Sequence, residues 1–162
     1  MPASAAVEKI ESAGSPEVRG GVAPYLAVDG AIRAAELYKK AFGATEIGRH
    51  PPAADGRTMH VHLYVNGGSV MLCDPYPEHG YPLQPPQAFT LHLQVEDADY
   101  WWNRATAAGL QVEMPLQLMF WGDRYGLLRD QFGVRWSIGC VFRPCRSTIP
   151  AQAGPAFRSM PG

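Results

Sequence analysis

Apolar and polar positions fall into one pattern that the chain runs through twice. Gly21 to Val28 reads as a strand, and Ala31 to Phe42 follows as a helix with Ile32, Ala35, Tyr38 and Phe42 at helical spacing. Gly43 ends that helix as a left-handed cap. Three short strands come next: Glu46 to His50, Thr58 to Val65 and Ser69 to Asp74. The second pass opens with a strand from Phe89 to Val95. Asp97 or Asp99 then caps a helix that carries Trp101, Trp102, Ala105 and Ala108 and stops at Gly109. Gln111 to Met114, Tyr125 to Asp130 and Val134 to Cys140 complete the repeat. A doubled β-α-β-β-β unit of α+β class is expected. A dinucleotide-binding fold is excluded, since no Gly-rich phosphate turn follows the first strand.

A sheet covered by helices on one side alternates an apolar set with a second set facing away. Leu26 and Val28 alternate with Tyr25 and Ala27, and Met59, Val61, Leu63 and Val65 with His60, His62 and Tyr64. Phe89, Leu91, Leu93 and Val95 alternate with Thr90, His92 and Gln94, and Trp136 and Ile138 with Arg135 and Ser137. The second set is polar and aromatic, so it is the candidate binding face. Its register depends on the loop Asn66-Gly67-Gly68, which is either a two-residue turn or a three-residue loop. Three residues set His62 against Leu72 and His60 against Asp74, which puts Asp74 on the polar face. Two residues shift every neighbour by one. The three-residue form is preferred, because otherwise Asp74 falls on the apolar face with no evident partner. In that register Asp74 stabilises the charged form of His60, and Asp74→Asn lowers the His60 pKa.

Composition narrows the function classes. Hydrophobic residues make up 46% of the 162, and 14 basic residues nearly balance 15 acidic ones, which fits a globular chain and not a disordered one. The same balance argues against a nucleic-acid partner held by phosphate neutralisation. No window reaches the length of a membrane span, and the N-terminus lacks a signal-peptide pattern, so a cytoplasmic protein with no membrane partner is expected. Cys73, Cys140 and Cys145 match no redox or zinc spacing and read as reduced structural residues. Residues 1–19 read as a flexible leader, 20–75 as the first module, 76–88 as a Pro-rich linker, 89–140 as the second module and 141–162 as an extended tail.

The doubled pattern, the segments YLAVDGAIRAAELYKKAFGA and HVHLYVNGGSVMLCD, and above all FWGDRYGLLRDQFGVRWSI resemble the vicinal oxygen chelate superfamily of glyoxalase I, bleomycin-resistance proteins and extradiol dioxygenases. The PhnB-like branch is the most similar. The resemblance implies mixed or antiparallel sheets curled into cups, with helices outside, ligand inside, and modules paired, commonly in homodimers. It also implies metal-ligand positions at Ala23 and Leu72 in the first half and at Thr90 and Ser137 in the second, none of them a strong ligand for a divalent ion.

The expected function is accordingly a glyoxalase- or bleomycin-resistance-like protein that binds a small, partly aromatic or anionic molecule in a sheet cup, with no cofactor and no metal. Tyr25, His60, His62, Asp74, His92, Trp121, Arg124 and Arg135 are the candidate binding residues. Trp121 and Arg124 belong, with Asp123 and Tyr125, to a loop able to stack on a ring and grip an anion. The alternative is a metal-dependent lyase, isomerase or dioxygenase whose ligands have moved to His60, His62, Asp74 and His92. No Ser-His-Asp or Cys-His pairing has support in the sequence, and no catalytic residue is assigned.

Overall fold

A computed structural model of the chain describes residues 16–141. Leader positions 1–15, tail positions 142–162 and with them Cys145 lie outside the described residues. The first module runs β1 (Tyr25–Ala27), α1 (Ala31–Phe42), β2 (Thr45–Arg49), β3 (Val61–Val65) and β4 (Gly68–Cys73). The second runs β5 (Leu91–Gln94), α2 (Ala98–Ala107), β6 (Gln111–Leu118), β7 (Asp123–Arg129) and β8 (Arg135–Val141). Each forms a four-stranded mixed sheet with the same permutation, β1-β4-β3-β2 and β5-β8-β7-β6. The first strand of each module lies parallel to the last, and the other pairs are antiparallel. The repeat read from the sequence is thus a repeat in topology, and neither sheet closes into a barrel.

Local sequence accounts for the element ends. Gly43, at φ +64°, turns the chain out of α1 and donates its N–H to the Lys39 carbonyl. Asp97, and not Asp99, caps α2 by accepting from the Tyr100 N–H at 2.9 Å. One strand runs on where the sequence suggests a stop. β6 continues through Pro115 to Leu118, because it is an outer strand that pairs only with β7 and its register slips around the proline. Between the modules, the Pro-rich stretch holds one turn of 3-10 helix at Pro77–His79, bracketed by a Tyr76–Tyr81 bridge.

One apolar core joins the modules. Leu26, Val28, Val61, Leu63, Val70 and Leu72 of the first sheet, and Leu93, Leu128, Trp136 and Ile138 of the second, are all buried with the inner face of α1. The Trp136 ring meets Tyr38 edge-on at 5.0 Å and Phe42 at 4.5 Å, carrying first-module aromatics onto the second sheet. Beneath them Asp130, itself buried, accepts from Tyr38 Oη at 2.7 Å and Trp136 Nε1 at 3.1 Å, and from the Phe132 and Val134 N–H groups. Arg104 of α2 donates to the carbonyls of Lys39 and Lys40 in the last turn of α1, where unpaired carbonyls and the helix dipole favour a cation. With the helix-facing sides committed to this core, the opposite side of each sheet is left open.

Candidate functional site: two open sheet faces

The β3–β4 hairpin decides which side chains reach the first open face. Val65 faces Gly68, Tyr64 faces Ser69, His62 faces Met71 and Val61 faces Leu72, so the turn has two residues, Asn66 and Gly67. Both take positive φ, +48° and +82°, as a primed hairpin turn requires, and Asn is the non-glycine residue that tolerates it best. The three-residue loop expected from the sequence is therefore corrected, and with it the place of Asp74. This carboxylate lies on the helix side, buried, where Oδ1 accepts from the Gly30 and Ala31 N–H groups at 2.8 and 3.1 Å and Oδ2 from the Thr58 N–H at 2.8 Å. It serves the N-terminus of α1 from across the sheet, since Gly30 has no side chain to do so. Its partners are backbone amides far along the chain, which the residues beside it do not announce.

On the first open face the rings form a ladder. Tyr25 and His60 lie 5.6 Å apart, His60 and His62 6.1 Å, and His62 and Tyr64 5.6 Å. Tyr25 Oη stands 2.8 Å from His60 Nδ1 and 3.2 Å from the Met59 carbonyl oxygen. His62 is buried and its Nε2 lies 2.8 Å from Ser69 Oγ. Residues 16–19, read from the sequence as leader, cross the far end of this face. Ser69 and Arg19 exchange hydrogen bonds, Tyr64 Oη donates to the Glu17 carbonyl, and the Arg19 guanidinium sits 3.8 Å above the Tyr64 ring.

Burial depresses the His62 pKa, and the neighbouring His60 charge depresses it further. A histidine held neutral in this way contributes stability above its ordinary value of 6.5, and that contribution is lost as pH falls from there through the lower folded value. NMR titration is expected to place His62 below an isolated imidazole. The thermal midpoint of the wild type is expected to fall more steeply below pH 6.5 than that of His62→Gln. Equal slopes would show that His62 is not held neutral.

The second open face is built from β5, β8, β7 and β6. His92 lies opposite Ser137, with Nδ1 2.8 Å from the Ser137 Oγ and Nε2 3.0 Å from Gln94 Oε1. Gly139 lets this ring lie flat, for a Cβ there would stand 2.8 Å from His92 Cε1. Tyr125 stacks on His92 at 5.9 Å and 17°, and Trp121 meets Tyr125 edge-on at 6.0 Å. At the other end of the face Arg129 and Arg135 are cross-strand partners, and Glu113 accepts from the Nε of both. Burial pushes the Glu113 carboxyl up, but the two guanidiniums outweigh it and hold the group below the usual carboxylate range.

Arg124 belongs elsewhere. Strand alternation turns Asp123, Tyr125 and Arg129 to the open face and Arg124, Gly126 and Leu128 to the helices, and Arg124 pairs with Asp99 of α2. It stands apart from the rings of the open face and lines instead a cavity beside α2 with Asp97, Asp99 and Trp101. Arg129, Glu113 and Tyr64 complete the faces, and period-2 counting along β7 from Tyr125 is the signal that finds Arg129.

The expected binding residues thus divide between modules: Tyr25, His60 and His62 on one face, His92, Trp121 and Arg135 on the other, Asp74 and Arg124 on neither. Among the described residues no hydrogen bond or ring contact links the two sets. Nor, among those residues, do three His, Cys, Asp or Glu side chains converge as ligands for an ion. The set His60, His62, Asp74 and His92 is broken, since Asp74 faces the core and His92 stands on the other sheet. Of the positions implied by the resemblance, Leu72 is buried in the core, and its neighbours Met71 and Cys73 share the face of Tyr25 instead. Met71, Thr90 and Ser137 make a poor donor set for a hard or borderline divalent ion, so the residues present do not fit the usual metal.

Two four-stranded mixed sheets of identical permutation, each with one helix and one open polar-aromatic face, define a glyoxalase-type protein. The chain belongs to the Glyoxalase/Bleomycin resistance protein/Dioxygenase superfamily, whose model matches residues 21–138. It is 41% identical over 128 residues to the protein Rv0887c of Mycobacterium tuberculosis, covering 75% of each chain. Among solved structures it is similar to PA1353 from Pseudomonas aeruginosa at 30% identity and TM-score 0.61, covering 74% of this chain and 96% of that one. The PhnB protein from Bacillus cereus, at 22% identity and TM-score 0.57, covers 75% and 99% and shares the fold. No helix among the described residues is long and apolar enough to cross a membrane.

Proposed function

We propose that this protein binds a small, partly aromatic or anionic molecule on its open sheet faces, without the metal used by many members of the superfamily. The observation that carries the reading is the stack of His92, Tyr125 and Trp121 over Gly139. It offers flat rings to a planar ligand where the superfamily's metal would need strong donors. In this reading the protein is cytoplasmic, PhnB-like and homodimeric. Tyr25, Met59, Phe89 and Trp121 stay exposed in the single chain, and pairing supplies the second wall that each open face lacks. Nucleic acid and membrane are not among its partners.

Quenching of tryptophan fluorescence by planar aromatics is expected to report binding, and Tyr125→Ala to weaken it about fivefold, the size of one stacking contact. Light scattering and elemental analysis of the same untagged preparation complete the test, with a metal-free dimer expected. Stoichiometric zinc, nickel, manganese or iron would favour a metal-dependent lyase, isomerase or dioxygenase instead. A monomer at every concentration would remove the dimer while leaving the binding face.

A further inference from the structure

Arg129 of β7 lies directly opposite Arg135 of β8, and Glu113 reaches both from the neighbouring outer strand β6. Like charges set opposite each other on one face repel, and here a single carboxylate bridges them: Oε1 of Glu113 meets Arg129 Nε, and Oε2 meets Arg135 Nε at 2.8 Å. Arg129 spends one terminal nitrogen on the Gly133 carbonyl, while among the described residues the terminal nitrogens of Arg135 have no partner. Two guanidiniums against one carboxylate leave a surplus positive charge. It faces a cavity of about 650 Å³ walled by Pro85, Pro86, Phe89 and Thr90.

From this we infer that Arg129 and Arg135 form an oxyanion-binding subsite in which Glu113 is a displaceable internal counter-ion, and that the ligand is an aromatic carboxylate. The inference rests on the proposed ring-binding face and adds the group to which that ring is attached. Glu113 shows that one carboxylate can span both Nε atoms, which a ligand carboxylate does in its place. Arg135 is two residues from Ser137 on β8, and Ser137 holds His92. The acid therefore sits roughly 7 Å along the strand from the ring stack, about the length of one aromatic ring. A phosphate ester shares the oxyanion chemistry, but the spacing of the two Nε atoms is the one that the planar carboxylate of Glu113 already spans, and a tetrahedral phosphate does not reproduce that geometry.

Naphthoate, naphthyl phosphate, uncharged naphthalenemethanol and acetate serve as probes for the full chain. The Nε–Hε NMR cross-peaks of Arg129 and Arg135 provide the readout, with tryptophan fluorescence for affinity. Naphthoate is expected to shift both cross-peaks and to bind about tenfold tighter than naphthalenemethanol, with naphthyl phosphate between them. Glu113→Gln is expected to tighten naphthoate severalfold and leave naphthalenemethanol alone. Arg135→Gln, at a half-exposed side chain whose loss should not disturb folding, is expected to erase the preference. Equal affinity for naphthoate and naphthalenemethanol, a weaker naphthoate complex in Glu113→Gln, or cross-peaks that no anion moves would each overturn the subsite. Tighter binding of naphthyl phosphate would overturn the choice of carboxylate. Cross-peaks shifted by acetate, with neither naphthyl probe sensitive to Tyr125→Ala, would support the subsite while removing the ring-binding reading.

Discussion

Replacing Asp130 with alanine is expected to cost about 4 kcal/mol, a large part of the 5–15 kcal/mol that usually holds a domain. The carboxylate is buried and accepts four hydrogen bonds, two from side chains of different modules and two from the backbone of its own turn. Alanine leaves all four donors with no other acceptor among the described residues, and three of them are buried. Burial and the adjacent Asp130 charge both raise the Tyr38 pKa well above the ordinary phenol range, so Tyr38 remains a proton donor to this carboxylate throughout the physiological range. Tyr38→Phe, which removes one donor and leaves Asp130 three, is expected to cost about 1–2 kcal/mol. Urea denaturation of both variants checks the pair. A loss under about 1 kcal/mol for Asp130→Ala would mean that water reaches these donors and that the node does not seal the modules together.

Asp74→Ala is expected to cost about 3 kcal/mol, for a related reason. Three backbone N–H groups lose their acceptor, and two of them open α1, where the helix dipole also favours a negative charge. Asp74→Asn keeps one acceptor oxygen and is expected to lose about half as much. Faster amide exchange at Ala31 and Thr58 should accompany both losses. The two hairpin registers separate in the same experiment. With two turn residues Asp74 belongs to the helix side, so amide exchange at Ala31 and Thr58 responds to Asp74→Asn. Exchange unchanged at both amides would restore the three-residue register and return Asp74 to the open face.

The repeat was legible because each module carries its own periodicities: helical spacing in Ile32, Ala35, Tyr38 and Phe42, and period-2 alternation through Val61, Leu63 and Val65. Those patterns arise from burial on one face, so they fix the element types and the inner faces without knowledge of any partner. Most of the open faces followed as the complement of the buried set, and Tyr25, His60, His62, His92 and Arg135 lie on them. The segment from Phe120 to Ile138 also carried the family resemblance, and the matched model spans it.

What the sequence by itself determined was therefore the doubled α+β pattern, its helix-facing sides and the polar-aromatic character of the sides opposite. Tertiary structure decided where the charges went. Asp74 had no visible partner because its donors, Gly30, Ala31 and Thr58, come from distant segments that meet only after the sheet forms. Arg124 and Arg129 differ only in strand parity, and the register of β7 against β8 sends one to Asp99 and the other to Glu113. Burial of an apolar side chain is a one-body preference that local pattern records. A buried or paired charge needs a particular second group at about 3 Å, and only the folded chain brings that group within reach.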